Sequence, residues 1–298
     1  MTELSSVVDE LRALRPMTDE VAELGELLYA TWYARPRHEV IVPPHFPVDL
    51  VQVLRAADAT GRRWEQGWVA DRVAPDGRVI ARRGSSVRMA DRCDYLAVRT
   101  PGLLPAPGDD LVMAGRRDRV DGDGAWWRTA GRAWRFTRAA PGLVRFYWNI
   151  DLPTLAALVG LITSALADEE RPWMLKCAAD PETHRRADAT VLYVARDAVD
   201  TLAGPVESIA ASVAAGLREG NPPLTLPIRQ GLAVAVDPGD GVSFGQHRCQ
   251  LIARAAGAGT LDDTGAVCTR IEASFDAAGI DPSRPYAGRD EAPLPWER

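Results

Sequence analysis

Residues 171–193, RPWMLKCAADPETHRRADATVLY, decide how this chain is read. PWMLKCAA and ATVLYVAR are short apolar runs of strand character, and the polar DPETHRRAD between them reads as a loop or short helical turn. Upstream, VRFYWNI reads as another strand. DLPTLAALVGLITSALADEE reads as a helix, with Asp151 as N-cap and Pro153 in its first turn. Downstream, VDTLAGPVESIAASVAAGLREG is expected to be a helix ending at Gly220, and NPPLTLPIRQGLAVAVDPGDG to be extended and loop-rich. SFGQHRCQLIARAAGAG starts a helix at Ser243, and TGAVCTRIEASFDAAGI gives the last one. Residues 141–298 are therefore expected to form an α+β domain.

Working outward, residues 61–140 have a different texture. WEQGWVADRV and RVIARRG read as strands around an APDG turn. SSVRMA, DYLAVRT, DLVMAGRR and AWWRTAGRAWRFTR follow, joined by turn-rich PGLLPAPGDD and DGDG. This predicts a small antiparallel β subdomain, with Trp64, Trp68, Trp126, Trp127 and Trp134 read mainly as core. Residues 1–60 read as a helical N-terminal segment. SSVVDELRALR, EVAELGELLYATWY and VDLVQVLRAAD carry apolar residues at three- and four-residue spacing, and Pro36, Pro43, Pro44 and Pro47 break the run around IVPPHFP.

Composition limits the partners. In 298 residues, 46% are hydrophobic and 26% charged, the proportions of an ordinary globular protein. The net charge of −6 offers no global attraction to nucleic acid or an anionic membrane. The opening MTELSSVVDELRALRP lacks the regions of a signal peptide, and LPTLAALVGLITSALA is shorter than the roughly 20 residues that span a bilayer. Cys93, Cys177, Cys249 and Cys268 lie far apart with no C-x-x-C pair, so reduced thiols and a cytoplasmic protein are expected, with Cys177 packed in the core.

Lys176 is the chain's only lysine, against 34 arginines. An arginine-preferring chain can retain one lysine by chance. The chemical alternative is that an ammonium held among apolar strand neighbours can give up its proton, which a guanidinium does not do. His184, Arg185, Arg186, Asp188 and Tyr193 follow closely, and two arginines in a turn that folds over the lysine would make an anion pocket. A second concentration is SFGQHRC, where Ser243, His247 and Arg248 sit at a helix start, a place that favours anions, with Arg229 in the preceding loop. No phosphate-binding glycine loop, G-x-S-x-G elbow, H-E-x-x-H motif or complete calcium loop occurs, so no metal or cofactor is expected.

RFYWNI, LKCAADPETHRRADATVLY, DPGDGVSFGQHRCQLIA and PYAG, in that order, resemble the HopA-type effector superfamily. Within it, the chain is most similar to the stand-alone lyases of class V lanthipeptide and thioamitide biosynthesis, relatives of the phosphothreonine lyases. The resemblance implies a phosphothreonine-lyase-like α+β domain. It also implies β-elimination of phosphate from phosphoserine or phosphothreonine, leaving dehydroalanine or dehydrobutyrine in a precursor peptide that a separate kinase has phosphorylated. The implied partners are the phosphorylated precursor peptide and that kinase.

Such a reaction needs a base for the α-proton, an acid or cation for the departing phosphate and a cation for the developing enolate. In the related phosphothreonine lyases one strand carries Lys-aromatic-His as base and acid, and the next carries an enolate-stabilising lysine, then an arginine and a tyrosine. By resemblance Lys176 matches that second lysine, Arg186 or Arg185 the phosphate arginine, and Tyr193 the tyrosine. Where Lys-x-His would stand, this chain has Tyr147, Trp148 and Asn149, with Arg145 just before. Two assignments remain open: Lys176 as base with His247 or Tyr147 as acid, or Lys176 as electrostatic stabiliser with a tyrosine as base. The first requires the lysine pKa to fall from about 10.4 toward 7.5, roughly 4 kcal/mol, through burial beside Arg185, Arg186 or Arg248. Two rival functions are a silent phosphopeptide-binding partner of a kinase or cyclase, and a type III effector acting on host phosphoproteins.

Overall fold

A computed structural model describes residues 2–40, 49–62, 64–115, 117–135 and 142–297. The IVPPHFP break and the end of the expected AWWRTAGRAWRFTR strand lie outside the described residues. Three helices precede the sheets: α1 (Thr2–Leu14), α2 (Val21–Leu28), which runs on into a π-helical turn over Tyr29–Tyr33, and α3 (Leu50–Ala57).

Five strands form a small antiparallel sheet: β1 (Trp64–Val73), β2 (Val79–Arg83), β3 (Ser86–Ala90), β4 (Tyr95–Ala97) and β5 (Asp110–Ala114), in the order β3-β2-β1-β5-β4. APDG makes the first hairpin turn as expected. Gly77, at φ 84°, takes the left-handed conformation that a side chain disfavours, and its N–H donates to Ala74. Leu111, Met113, Ala81 and Tyr95 fill this sheet's own core.

The second sheet has seven strands: β6 (Arg119–Val120), β7 (Trp126–Ala130), β8 (Leu143–Trp148), β9 (Trp173–Ala178), β10 (Thr190–Ala195), β11 (Leu226–Arg229) and β12 (Leu232–Val236). Their order is β11-β12-β8-β10-β9-β7-β6, with every pairing antiparallel. Two features depart from the sequence reading. The DGDG hairpin of β6 and β7 joins this sheet, across residue 140, because β7 pairs along β9 and sends Trp127 into the main core. LPIRQGLAVAV, expected to be extended and loop-rich, supplies two paired strands; β12 is buried on both faces, so its apolar run shows no alternation.

Both faces of the sheet are covered by helices. Trp127, Phe146, Trp148, Trp173, Leu175, Leu192 and Val234 point to one face, packed by α3, α4 (Leu152–Ala165) and α5 (Val199–Ser212). The α4 stripe of Leu155, Leu158, Val159 and Ile162 has the spacing of one helical face, and Asp151 caps it as expected by accepting from the Thr154 N–H at 2.9 Å. The chain's most apolar stretch is thus a core helix, and no helix among the described residues is long and apolar enough to cross a membrane. Cys177 is fully buried in this core, as expected.

On the other face, α1, α2, α6 (Phe244–Gly257) and α7 (Thr264–Ala277) pack over Tyr147, Val191 and Ala235. Ser243 begins α6 with a complete capping box to Gln246. Gly245 lets α6 approach the π-helical turn, since a Cβ there would lie 2.3 Å from the Tyr33 ring. Gly245→Val is therefore expected to destabilise the fold by about 1–3 kcal/mol, read from the urea midpoint.

Candidate functional site

Alternation along the strands decides which side chains share the second face. In β8, Val144, Phe146 and Trp148 enter the main core, so Arg145 and Tyr147 face the other way. In β9 the same alternation turns out Lys176, and in β10 it turns out Val191 and Tyr193. Register then aligns them laterally. Arg128 stands opposite Lys176, Lys176 opposite Val191 and Val191 opposite Tyr147, while Tyr193 stands opposite Arg145. The helices roof the Tyr147 end of this row; toward β9 and β7 the face opens, and Lys176, Arg128, Trp126 and Tyr193 are all partly exposed.

Lys176 holds its Nζ 3.7 Å from the centroid of the Trp126 ring, and no carboxylate among the described residues lies within ion-pair distance. Burial, and then the Arg128 guanidinium beside it, lower its pKa to about 8, while Asp188 partly restores it. Arg128 is committed on one side to Asp121 at 2.5 Å, and its buried Nε has no hydrogen-bond partner among the described residues. The pKa thus moves in the expected direction, but with Arg128 as the leading neighbour rather than the arginines of the turn. A charged lysine held this way costs folding energy. Lys176→Met is expected to raise stability by about 1–3 kcal/mol at pH 7, the shift less the lost cation–π contact. The gain should shrink as pH rises from about 8 toward 10.5, where the native chain has lost a proton that the unfolded chain still holds. Urea titrations at pH 7 and pH 10 measure it.

Around the lysine the other polar groups are tightly committed. Arg145 pairs with Asp237 at 2.5 Å, donates to the Val242 carbonyl and lies 5.1 Å from the Tyr193 ring centre. Arg186 forks onto Asp188 at 2.8 and 2.7 Å and donates to the Tyr29 hydroxyl at 2.9 Å, so the arginine expected to take phosphate already has an intramolecular anion. Burial raises the pKa of Tyr29, Tyr147 and Tyr193, so these phenols stay protonated at neutral pH and can donate. On α6, Arg248 is buried over the Phe244 ring, with its pKa lowered by burial to about 10. It donates to the Pro285 carbonyl and to His247 Nδ1 at 2.7 Å. A guanidinium only donates, so His247 carries its proton on Nε2, which faces Asp240 at 3.7 Å. Burial, and then Arg248, lower the His247 pKa, keeping the ring neutral at pH 7.

The structure thus brings together Lys176, Arg145, Tyr147, Tyr193 and Arg186, with Arg248 and His247 behind them on α6. Three sequence candidates stand elsewhere. Asn149 lies past the end of β8, and its amide donates to the Glu219 and Gly220 carbonyls beside His38, a loop-anchoring position. Arg185 is exposed, donating to the His38 carbonyl and facing Glu182. Arg229 is exposed on β11, at the opposite edge of the sheet from β7. Sequence reading missed Arg128 and Tyr29, and took Trp126 and Trp134 for core. Trp126 lies under the lysine, and the Trp134 ring stands 6.3 Å from that of Tyr193. Trp64 is exposed too, while Trp68 and Trp127 are buried as expected.

A family model described as the HopA1 effector protein family matches residues 128–287, more than half of the chain. Solved structures similar to this one include two effector proteins. The effector protein from Pseudomonas syringae pv. tomato strain DC3000 shares 13% identity and a TM-score of 0.50, over 97% of this chain and 99% of that one. The effector protein from Pseudomonas syringae pv. syringae strain 61 shares 12% identity and a TM-score of 0.55, over 96% of each. At such identities the likeness is one of fold. No curated protein matches the chain.

Proposed function

We propose that this chain, which belongs to the HopA1 effector protein family, is a lyase that removes phosphate by β-elimination from phosphoserine or phosphothreonine in a precursor peptide. One observation carries the reading: a single lysine, partly buried without a carboxylate partner among the described residues, whose pKa of about 8 leaves a usable fraction unprotonated near neutral pH. In this reading unprotonated Lys176 takes the proton from the α-carbon. The electron pair left behind forms the second Cα–Cβ bond, the Cβ–O bond breaks, and phosphate departs with the electrons of that C–O bond. Arg128, with its unpartnered Nε, offers charge to the anion. Tyr193, which keeps its proton, offers a hydrogen bond to the developing enolate or to the leaving group. The raised phenol pKa values favour lysine over tyrosine as base. Because His247 is neutral with Nδ1 occupied, it is assigned to positioning Arg248 rather than to supplying the proton.

The test incubates the purified chain with a kinase-phosphorylated peptide and follows loss of phosphoric acid by mass spectrometry. The lyase reading expects the dehydrated product. An unchanged phosphopeptide that still binds would instead make the chain a silent partner. A second reading has its own support, since the two fold neighbours described above are effector proteins. There the same elimination acts on a host phosphoprotein, and the choice rests on which substrate turns over faster.

A further inference from the structure

A groove of about 890 Å³ lies away from the lysine, between the two sheets. One wall is the whole of β3, the edge strand of the small sheet among the described residues; the other includes Arg119 of β6, the corresponding edge of the large sheet. An edge strand carries unpaired backbone donors and acceptors, and β3 also exposes Val87 and Met89, at 61% and 64%. Such a wall is suited to pairing with an extended peptide.

Charge is unevenly distributed along this groove. At one end Arg83 and Arg88 lie over the Trp68 ring, at 4.7 and 5.9 Å, and Arg117 donates to the carbonyl of Arg132. Arg83 and Arg132 both turn to one buried carboxylate, Glu65, at 3.1 and 4.0 Å. Arg88 and Arg117 have no ion pair among the described residues; Arg88 donates to the Ala114 carbonyl. Arg83 and Arg132 therefore share one carboxylate, and burial lowers the pKa of Arg88 and Arg117 beside them. Asp91, Asp94 and Asp118 line the groove as well, and Asp118 is taken by Arg55 at 2.6 Å. Trp134 also lines the groove, and its ring neighbours that of Tyr193, so one residue borders both the groove and the lysine face.

We infer that the groove seats an extended, acidic segment of the same peptide whose phosphorylated residue enters the Lys176 site. This rests on the peptide-lyase reading and adds a recognition rule to it: carboxylates beside the phosphosite, paired along β3 and neutralised by Arg83, Arg88 and Arg117. The two sites then hold one chain at two points.

The test measures fluorescence anisotropy of the full chain with labelled phosphothreonine peptides that have glutamates on the N-terminal side, on the C-terminal side, or glutamines on both. One glutamate peptide is expected to bind about tenfold or more tighter than the glutamine peptide, and added salt should erode the difference. The Arg88→Gln, Arg117→Gln double variant should reduce that preference to within about twofold, and Lys176→Arg should leave it intact. Equal binding of all three peptides overturns the inference without any variant. A preference that survives in a folded double variant overturns it too. So does tighter, arginine-dependent binding of a single-stranded oligonucleotide. Acidic preference without phosphate loss sinks the lyase reading alone; phosphate loss without the preference sinks only the groove.

Discussion

Lys176→Arg is expected to slow phosphate elimination by about 10²–10⁴-fold while leaving phosphopeptide affinity within a few-fold. Arginine keeps the positive charge and much of the stem that lies on Trp126, but does not surrender its proton in a protein. Binding that depends on charge survives, and proton abstraction does not. The wild-type pH profile supplies an independent reading. With the lysine pKa at about 8, the reactive form grows about tenfold per pH unit below that value, so kcat/KM should climb and then level off. Stopped-time mass spectrometry across pH 6 to pH 9 measures both. A variant that retained most of the activity would remove lysine as the base, and the protonated phenols around it would need another explanation.

Asp237→Ala is expected to cost about 3–5 kcal/mol of stability, with a lower urea midpoint at unchanged slope. Its partner Arg145 has only 8% of its side chain exposed and projects from β8, which is covered on both faces. Deleting the carboxylate leaves that guanidinium with the Val242 carbonyl and the Tyr193 ring, neither of which neutralises it. Asp237→Asn retains an acceptor and should cost less. The same pair holds Tyr193 beside the lysine, so both variants should lower elimination even in the folded fraction.

Strand periodicity made half of the site legible. Alternation puts Arg145 and Tyr147 on one face of VRFYWNI and Lys176 on one face of WMLKCA, and the Asp151 and Ser243 caps announced their helices correctly. What sequence cannot supply is register between strands far apart in the chain. Arg128 stands beside Lys176 only because β7 and β9 pair at that offset, and Tyr29 reaches Arg186 across 157 positions. Asp188 was in view, but its capture of Arg186 depends on how DPETHRRAD folds: Pro181–Arg185 forms a 3-10 turn capped by Asp180. β12 was read only as part of an extended, loop-rich stretch, because burial on both faces erases the alternation by which a half-covered strand is found.

The docking of the first helices on the last has a consequence for biogenesis. Arg12 donates to the Leu261 carbonyl and Thr264 hydroxyl, and Gln250 to the Ala22 carbonyl, across separations of about 230–250 positions. While the ribosome has yet to release residues 244–277, helices α1 and α2 lack the α6 and α7 partners that complete their packing. The roof over Tyr147 therefore closes late in synthesis, and a nascent chain should remain protease-sensitive at its early helices after its strands have paired.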